Sequence, residues 1–300
     1  MRLPDRSGLL PLSFAQRRLW FLERLGRVGH AYHMPLALQL DGRLDGDALR
    51  AALDALVARH EALRTRIVGD GDGDEAFQQI DPPGVGFPLR HDDLTGHADA
   101  PAALARLQQE ESTARFDLAA GPLFRGRLVI LAPDRHVLLL TMHHIVSDGW
   151  SLGILTRELG VLYAAHHDGR PDPLPPLPIQ YADYATWQRH WLTNDTLTHQ
   201  ENYWRHHLTD APTLLHLPTD RPRPPEQDHH GAHLPITIDP DLTTALKTLT
   251  TRHSGTLYMT LLTAWTIVLS RLTGQHDLTI GTPTANRRHT ELENLIGFFV

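Results

Sequence analysis

The chain has 300 residues, with 28 Lys and Arg against 35 Asp and Glu, a net charge of −7 and 41% hydrophobic residues. That is a globular composition, long enough for a sizeable core or about two domains, and it lacks the basic surplus that a nucleic-acid backbone demands. With no cysteine, disulfides, thiolate nucleophiles and Cys-ligated zinc are excluded; no apolar run approaches the roughly 20 residues of a membrane span, and MRLPDRSGLL has no secretory h-region, so a cytoplasmic location is expected.

Ser13 N-caps a helix over SFAQRRLWFLERL, with Phe14, Leu19, Trp20, Leu22 and Leu25 at near-helical spacing. Residues 34–40 predict a strand. LDGDALRAALDALVARHEAL predicts an amphipathic helix with Leu49, Ala52, Leu53, Leu56 and Val57 on one stripe. LRTRIV and AFQQI read as strands of a hairpin around Asp70, Asp72 and Asp74. An EF-hand there would need Gly at loop position 6 and Glu at 12, where the chain has Glu75 and Asp81, and the aspartates would repel a phosphate. A helix over 101–114 precedes the strands LFRGRLVIL and HVLLLTM, joined by APDR. The next helix runs from about Ser151 to His166 and ends at His166-His167-Asp168-Gly169, a set that helix-end cations and a C-cap glycine explain structurally.

GRPDPLPPLP (169–178) cannot continue a helix or a central strand and marks the expected domain boundary. Helices over 180–191 and 196–208 follow, then a second Pro-rich run (217–227), a strand HLPITI, helices near 240–253 and 257–272, and a strand DLTIGTP. The chain ends on LIGFFV, expected to be an element cut through its middle that leaves apolar surface uncovered.

Histidine is abundant, at 21 residues, and most, such as His97, His216, His229 and His230, lie in polar, loop-like stretches. His143 and His144 differ, because they follow a fully apolar strand and precede Asp148-Gly149-Trp150 and a helix, where α/β proteins place reacting groups. Asp148 is placed to cap that helix or to hold an arginine, and His144 to face a cleft as a base. The alternative is two histidines satisfied by backbone carbonyls beside an N-cap Asp. By themselves, RHEALRT (59–65) reads as a helix end carrying cations, and Tyr181, Tyr184 and Trp187 as a core stripe.

Taken together and in order, SFAQRRLWFL (13–22), RHEALRT, MHHIVSDGWS (142–151), YADYATW (181–187) and LIGFFV (295–300) resemble the motifs of condensation domains of non-ribosomal peptide synthetases, with GTPTANRR (281–288) similar to that family's arginine-bearing loop. DGWS after the histidines resembles the type that joins two L-residues. The resemblance implies an α/β fold of two chloramphenicol-acetyltransferase-like lobes in a V around a tunnel. Residues 1–170 would form the N-terminal lobe, 171–178 the boundary and 179–300 a partial C-terminal lobe, a fragment expected to be inactive alone. It implies amide formation in antibiotic and other secondary metabolism. Donor and acceptor carrier proteins would deliver substrates on phosphopantetheine arms beside an adenylation domain, with no permanent cofactor, metal, membrane or nucleic-acid partner. His144 would handle the proton, with His143, Asp148 and Gly149 beside it and Arg287, Trp150 and Arg64 in support, Arg287 pairing with Asp148. An amine of pKa near 7.7–8.0 and an imidazole near 6.5 exchange a proton with little tuning. A free-standing acyl-CoA-dependent acyltransferase, an epimerisation domain and a non-catalytic carrier-binding module, such as an oxygenase-recruiting domain, share the superfamily.

Overall fold

The apolar run HVLLLTM is explained by a strand covered on both faces. In the computed structural model, which describes residues 5, 6, 8–26, 29–70, 75–225, 231 and 234–300, β7 (Arg135–His143) lies between β2 (His33–Asp41) and β6 (Phe124–Ala132), with β5 (Leu89–Asp93) beyond β6. β7 is antiparallel to both neighbours and β5 is parallel to β6. The two-residue period of a strand sends Leu138, Leu140 and Met142 to one face, where they meet Leu53 and Leu56 of α2 (Gly46–Arg59) and Ile154 and Leu155 of α4 (Gly149–His167). Val137 and Leu139 point the other way, toward Ala103 and Leu107 of α3 (Ala100–Thr113).

A second sheet has the order β1 (Leu10–Pro11), β4 (Ala76–Ile80), β3 (Thr65–Gly69). β3 and β4 form the expected hairpin, from Thr65 opposite Ile80 to Gly69 opposite Ala76. Its turn, with Asp72 and Asp74, lies outside the described residues, as do His229 and His230. α1 (Phe14–Arg24) opens with a Ser13/Gln16 capping box, and its buried face is built on Ser13, Gln16 and Leu19, while Leu25 is exposed. α4 begins at Gly149, two residues earlier than its apolar pattern suggests, because Asp148 accepts from the Ser151 N–H as N-cap. At its far end His167 pairs with Asp45 (3.4 Å) and stacks on Tyr163.

By its contacts the chain divides into one unit of Met1–Thr193 with Thr284–Val300 and another of Asn194–Pro283. The Pro-rich segment 171–178 therefore falls inside the first unit, as does α5 (Tyr181–Trp191). The chain end corrects the sequence expectation. Ile296, Phe298 and Phe299 are buried in the first unit, and only Val300 is notably exposed. Residues 295–300 have no helix or strand, and are held by side-chain contacts that no periodicity announces.

The second unit holds α6 (Asn194–His207), α7 (Pro240–Arg252) and α8 (Leu257–Thr273). α7 and α8 meet through the Thr250 and Thr260 hydroxyls, 2.6 Å apart. The expected strands HLPITI and DLTIGTP are not found over residues 234–238 and 277–283. A strand needs a neighbour for its backbone groups, and the described residues of this unit supply none.

Candidate active site

β7 delivers His143 to the end of its sheet, a 3-10 turn spans His144–Val146, and Asp148 opens α4. The buried His143 ring is committed on both nitrogens. Its Nδ1 accepts from the Ile145 N–H (3.1 Å), so Nε2 carries the proton and donates to Glu23 Oε1 (3.2 Å). His144 is its opposite. The His144 backbone N–H donates to the Tyr32 carbonyl (2.8 Å), but among the described residues its half-buried ring makes no hydrogen bond, and Nδ1 is buried without a partner. The ring meets Phe298 edge-to-face at 4.7 Å.

Asp148 is fully buried and saturated. Oδ1 accepts from the Ser151 N–H (2.9 Å), the Ser151 hydroxyl (2.7 Å) and Arg287 Nη2 (3.1 Å), and Oδ2 accepts from the Phe299 N–H (3.2 Å). Arg287 also donates to the Leu292 and Leu295 carbonyls and lies 4.0 Å from the Phe299 ring. Burial pulls the guanidinium down from its ordinary pKa, and the Asp148 carboxylate opposes that pull. The structure thus joins Asp148 and Arg287, 139 residues apart, into one buried ion pair.

The other motifs close around this pair. Gln16 Nε2 donates to the Ile145 carbonyl (3.1 Å), and the Tyr181 hydroxyl donates to the Phe298 carbonyl (2.5 Å) while bonding Ser13 Oγ (2.8 Å). Burial raises the Tyr181 phenol well above its ordinary range, which keeps it a donor. Trp150 Nε1 donates to the Glu293 carbonyl (3.1 Å), and a Cβ on Gly149 would meet nothing within 4 Å. Arg64 is engaged elsewhere, with the Asp81 carbonyl and with Glu61 at 3.8 Å.

These contacts make the order of motifs a structural fact, and comparison with known proteins gives it a name. Residues 6–300 match the profile of the Condensation family, described as the condensation domain. The chain belongs to that family. Malpinin synthetase of Mortierella alpina is 53% identical over 296 residues, which are 99% of this chain and 4% of that protein. Phosphinothricin tripeptide synthetase of Streptomyces viridochromogenes is 44% identical over 300 residues, 99% of this chain and 27% of that protein. Among solved structures, the X-domain from teicoplanin biosynthesis superposes with a TM-score of 0.82 at 31% identity, over 99% of this chain and 65% of that one. The condensation-domain chain thus spans only a small part of these synthetases.

Two residues outside the expected set hold this condensation domain's site together. Gly297 sits against the buried Tyr181 ring, and a Cβ there would lie 2.1 Å from Tyr181 Cδ2. Gly297→Ala is expected to destabilise the chain by about 1–3 kcal/mol through this overpacking. Denaturant unfolding with an unchanged midpoint would refute it. Ser151 is the other, since its hydroxyl accepts from Arg287 Nη2 (3.0 Å) and from the Gly297 N–H (3.1 Å). Its place three residues after an N-cap Asp was the available signal.

His60 is buried behind the site. Its Nδ1 accepts from the Ile296 N–H (3.3 Å), so Nε2 donates to Glu158 Oε2 (2.7 Å), which also takes Arg59 Nε (3.1 Å). Burial holds the His60 imidazole below 6.5, against the upward pull of Glu158. The folded state thus resists a proton that the unfolded chain accepts, so this stability is complete above the unfolded value of about 6.5 and is lost as pH falls below it. Unfolding midpoints are expected to drop from pH 7 to pH 5, with a smaller drop in His60→Gln; equal drops in both proteins would contradict the assignment.

Proposed function

We propose that this condensation domain joins two carrier-bound substrates through an amide bond. One carrier protein presents an aminoacyl or peptidyl thioester on its phosphopantetheine arm, and a second presents the amine of an aminoacyl acceptor. The observation that carries this reading is the contrast between the signature histidines: His143 is bonded at both ring nitrogens, whereas the His144 ring has no hydrogen bond among the described residues. A thioester is already activated, so the site needs to orient the amine, move one proton and favour the oxyanion.

The amine nitrogen attacks the thioester carbon, the C–N bond forms and the C–S bond breaks. His144 Nε2 takes the proton that the nitrogen loses and returns it to the departing thiolate, leaving an amide and a free thiol. Asp148, saturated by donors, orients the turn and is not a second base. Gly149 leaves space beside the turn, and Arg287 and Trp150 tie residues 287–295 to it. The same proposal includes the two lobes over 1–170 and 179–300, a neighbouring adenylation domain and a cytoplasmic setting; the name of a tripeptide synthetase among the relatives supports it. Among the described residues no helix is long and apolar enough to cross a membrane, and no cluster of His, Asp or Glu is placed to hold a metal.

A second reading is a recruiting module without amide synthesis, favoured by the likeness to the X-domain, which is also solved in complex with OxyB. The natural polypeptide containing residues 1–300 should be given a carrier-bound donor with an acceptor-loaded carrier and, separately, a CoA-bound donor with a free amine acceptor and no carrier. Amide from the carrier-bound donor supports condensation. Transfer from CoA with no carrier present would identify a free-standing acyltransferase, racemisation alone an epimerisation domain, and no turnover of either donor a recruiting module.

A further inference from the structure

A histidine that handles protons ordinarily has its ring direction fixed by a hydrogen bond on the nitrogen away from the substrate. Among the described residues His144 has no such bond, since its buried Nδ1 finds no partner there. Its direction therefore depends on the backbone of the turn and on the Phe298 ring. Besides the turn's own bond from the Ser147 N–H to the His144 carbonyl (3.3 Å), three bonds among the described residues anchor that backbone to its surroundings: the His144 N–H on the Tyr32 carbonyl, the Ile145 carbonyl on Gln16 Nε2, and the Ile145 N–H on His143 Nδ1.

The third bond is conditional. It exists only while His143 Nδ1 is bare, which for a neutral imidazole requires the proton on Nε2. A buried N–H needs an acceptor, and Glu23 Oε1 is 3.2 Å away. The ring neighbours of His143 are His33 and Phe116, with centroids at 6.2 and 5.9 Å, and these contacts give Nε2 no oxygen. Glu23 comes from the last turn of α1 and lines a cleft of about 120 Å³ with Arg115 and Phe116, so a partly exposed carboxylate reaches a buried ring. α1 thereby grips Ile145 from both sides, its carbonyl through Gln16 and its N–H through Glu23 and His143.

We propose that Glu23 is a positioning residue, which holds His143 in its Nε2–H form and so fixes the turn that aims His144. The effect on rate rests on the reading of His144 given above, whereas the effect on the His143 ring does not. Two measurements on Glu23→Ala and Glu23→Gln therefore test it. Imidazole ¹⁵N spectra of the chain should show the Nε2–H form of His143 in the parent and in Glu23→Gln, and a mixture of forms in Glu23→Ala. In the natural polypeptide, Glu23→Ala should lower kcat about 10–100-fold with KM for both carriers unchanged, and Glu23→Gln should restore most of the loss. An unchanged His143 spectrum in Glu23→Ala overturns the proposal, as does an unchanged kcat beside a changed spectrum. Loss of the fold in Glu23→Ala would make the residue structural and overturn it equally. A parent that forms no amide would refute the reading of His144, while the spectra would still decide whether Glu23 sets the His143 form.

Discussion

His144→Ala is expected to slow amide formation by about 10²–10⁴-fold, the usual cost of removing a positioned acid or base. The fold should survive, because the lost ring makes no hydrogen bond among the described residues and packs edge-on against Phe298. His143→Ala is a different experiment. It strips a partner from both the Ile145 N–H and Glu23, so stability and rate should fall together. Single-turnover transfer between loaded carriers, with unfolding curves for each variant, separates the two. Equal transfer by the parent and His144→Ala would remove His144 from the chemistry.

Arg287→Ala should produce the largest loss of stability, about 3–5 kcal/mol, because it leaves the Asp148 carboxylate charged and buried without its cation. Side-chain exposures of 2% for Arg287 and 0% for Asp148 leave no solvent to compensate. Since a domain is stable by only about 5–15 kcal/mol, poor recovery of soluble protein is expected too. Arg287→Lys should recover part of the loss, since an ammonium restores charge but cannot reach Asp148, Ser151 and two carbonyls at once. Denaturant unfolding within 1 kcal/mol of the parent would show that the ion pair contributes little.

Where packing follows a period, the sequence was a good guide. The α2 stripe from Leu49 to Val57 is buried, the apolar β7 is an interior strand, and the hairpin around Asp70 pairs in register. The Asp148–Arg287 pair was legible through the order of motifs and not through any spacing, since 139 residues separate the two. Polar side chains with buried partners were harder to read. Gln16 looks like a surface residue of an amphipathic helix, yet it is buried on Ser13 and Ile145, and Glu23 gives no sign of reaching a histidine 120 residues away. Residues 295–300 misled for a related reason. An apolar run says that burial is needed but not where, and here the partners are Tyr181, Tyr184, His144 and Arg287, brought from separate elements. HLPITI and DLTIGTP failed because alternation marks a strand only where a neighbour completes the ladder.

Amide formation at the His144 turn is the proposed activity, and the acceptor carrier reports it directly. The natural polypeptide containing residues 1–300 should be incubated with a donor-loaded and an acceptor-loaded carrier, and the acceptor carrier weighed intact by mass spectrometry. A gain equal to the donor acyl group, released by alkali as a single dipeptide, is the predicted result. An acceptor of unchanged mass beside a donor carrier that still holds its thioester, or has lost it to hydrolysis, would contradict amide formation by this domain.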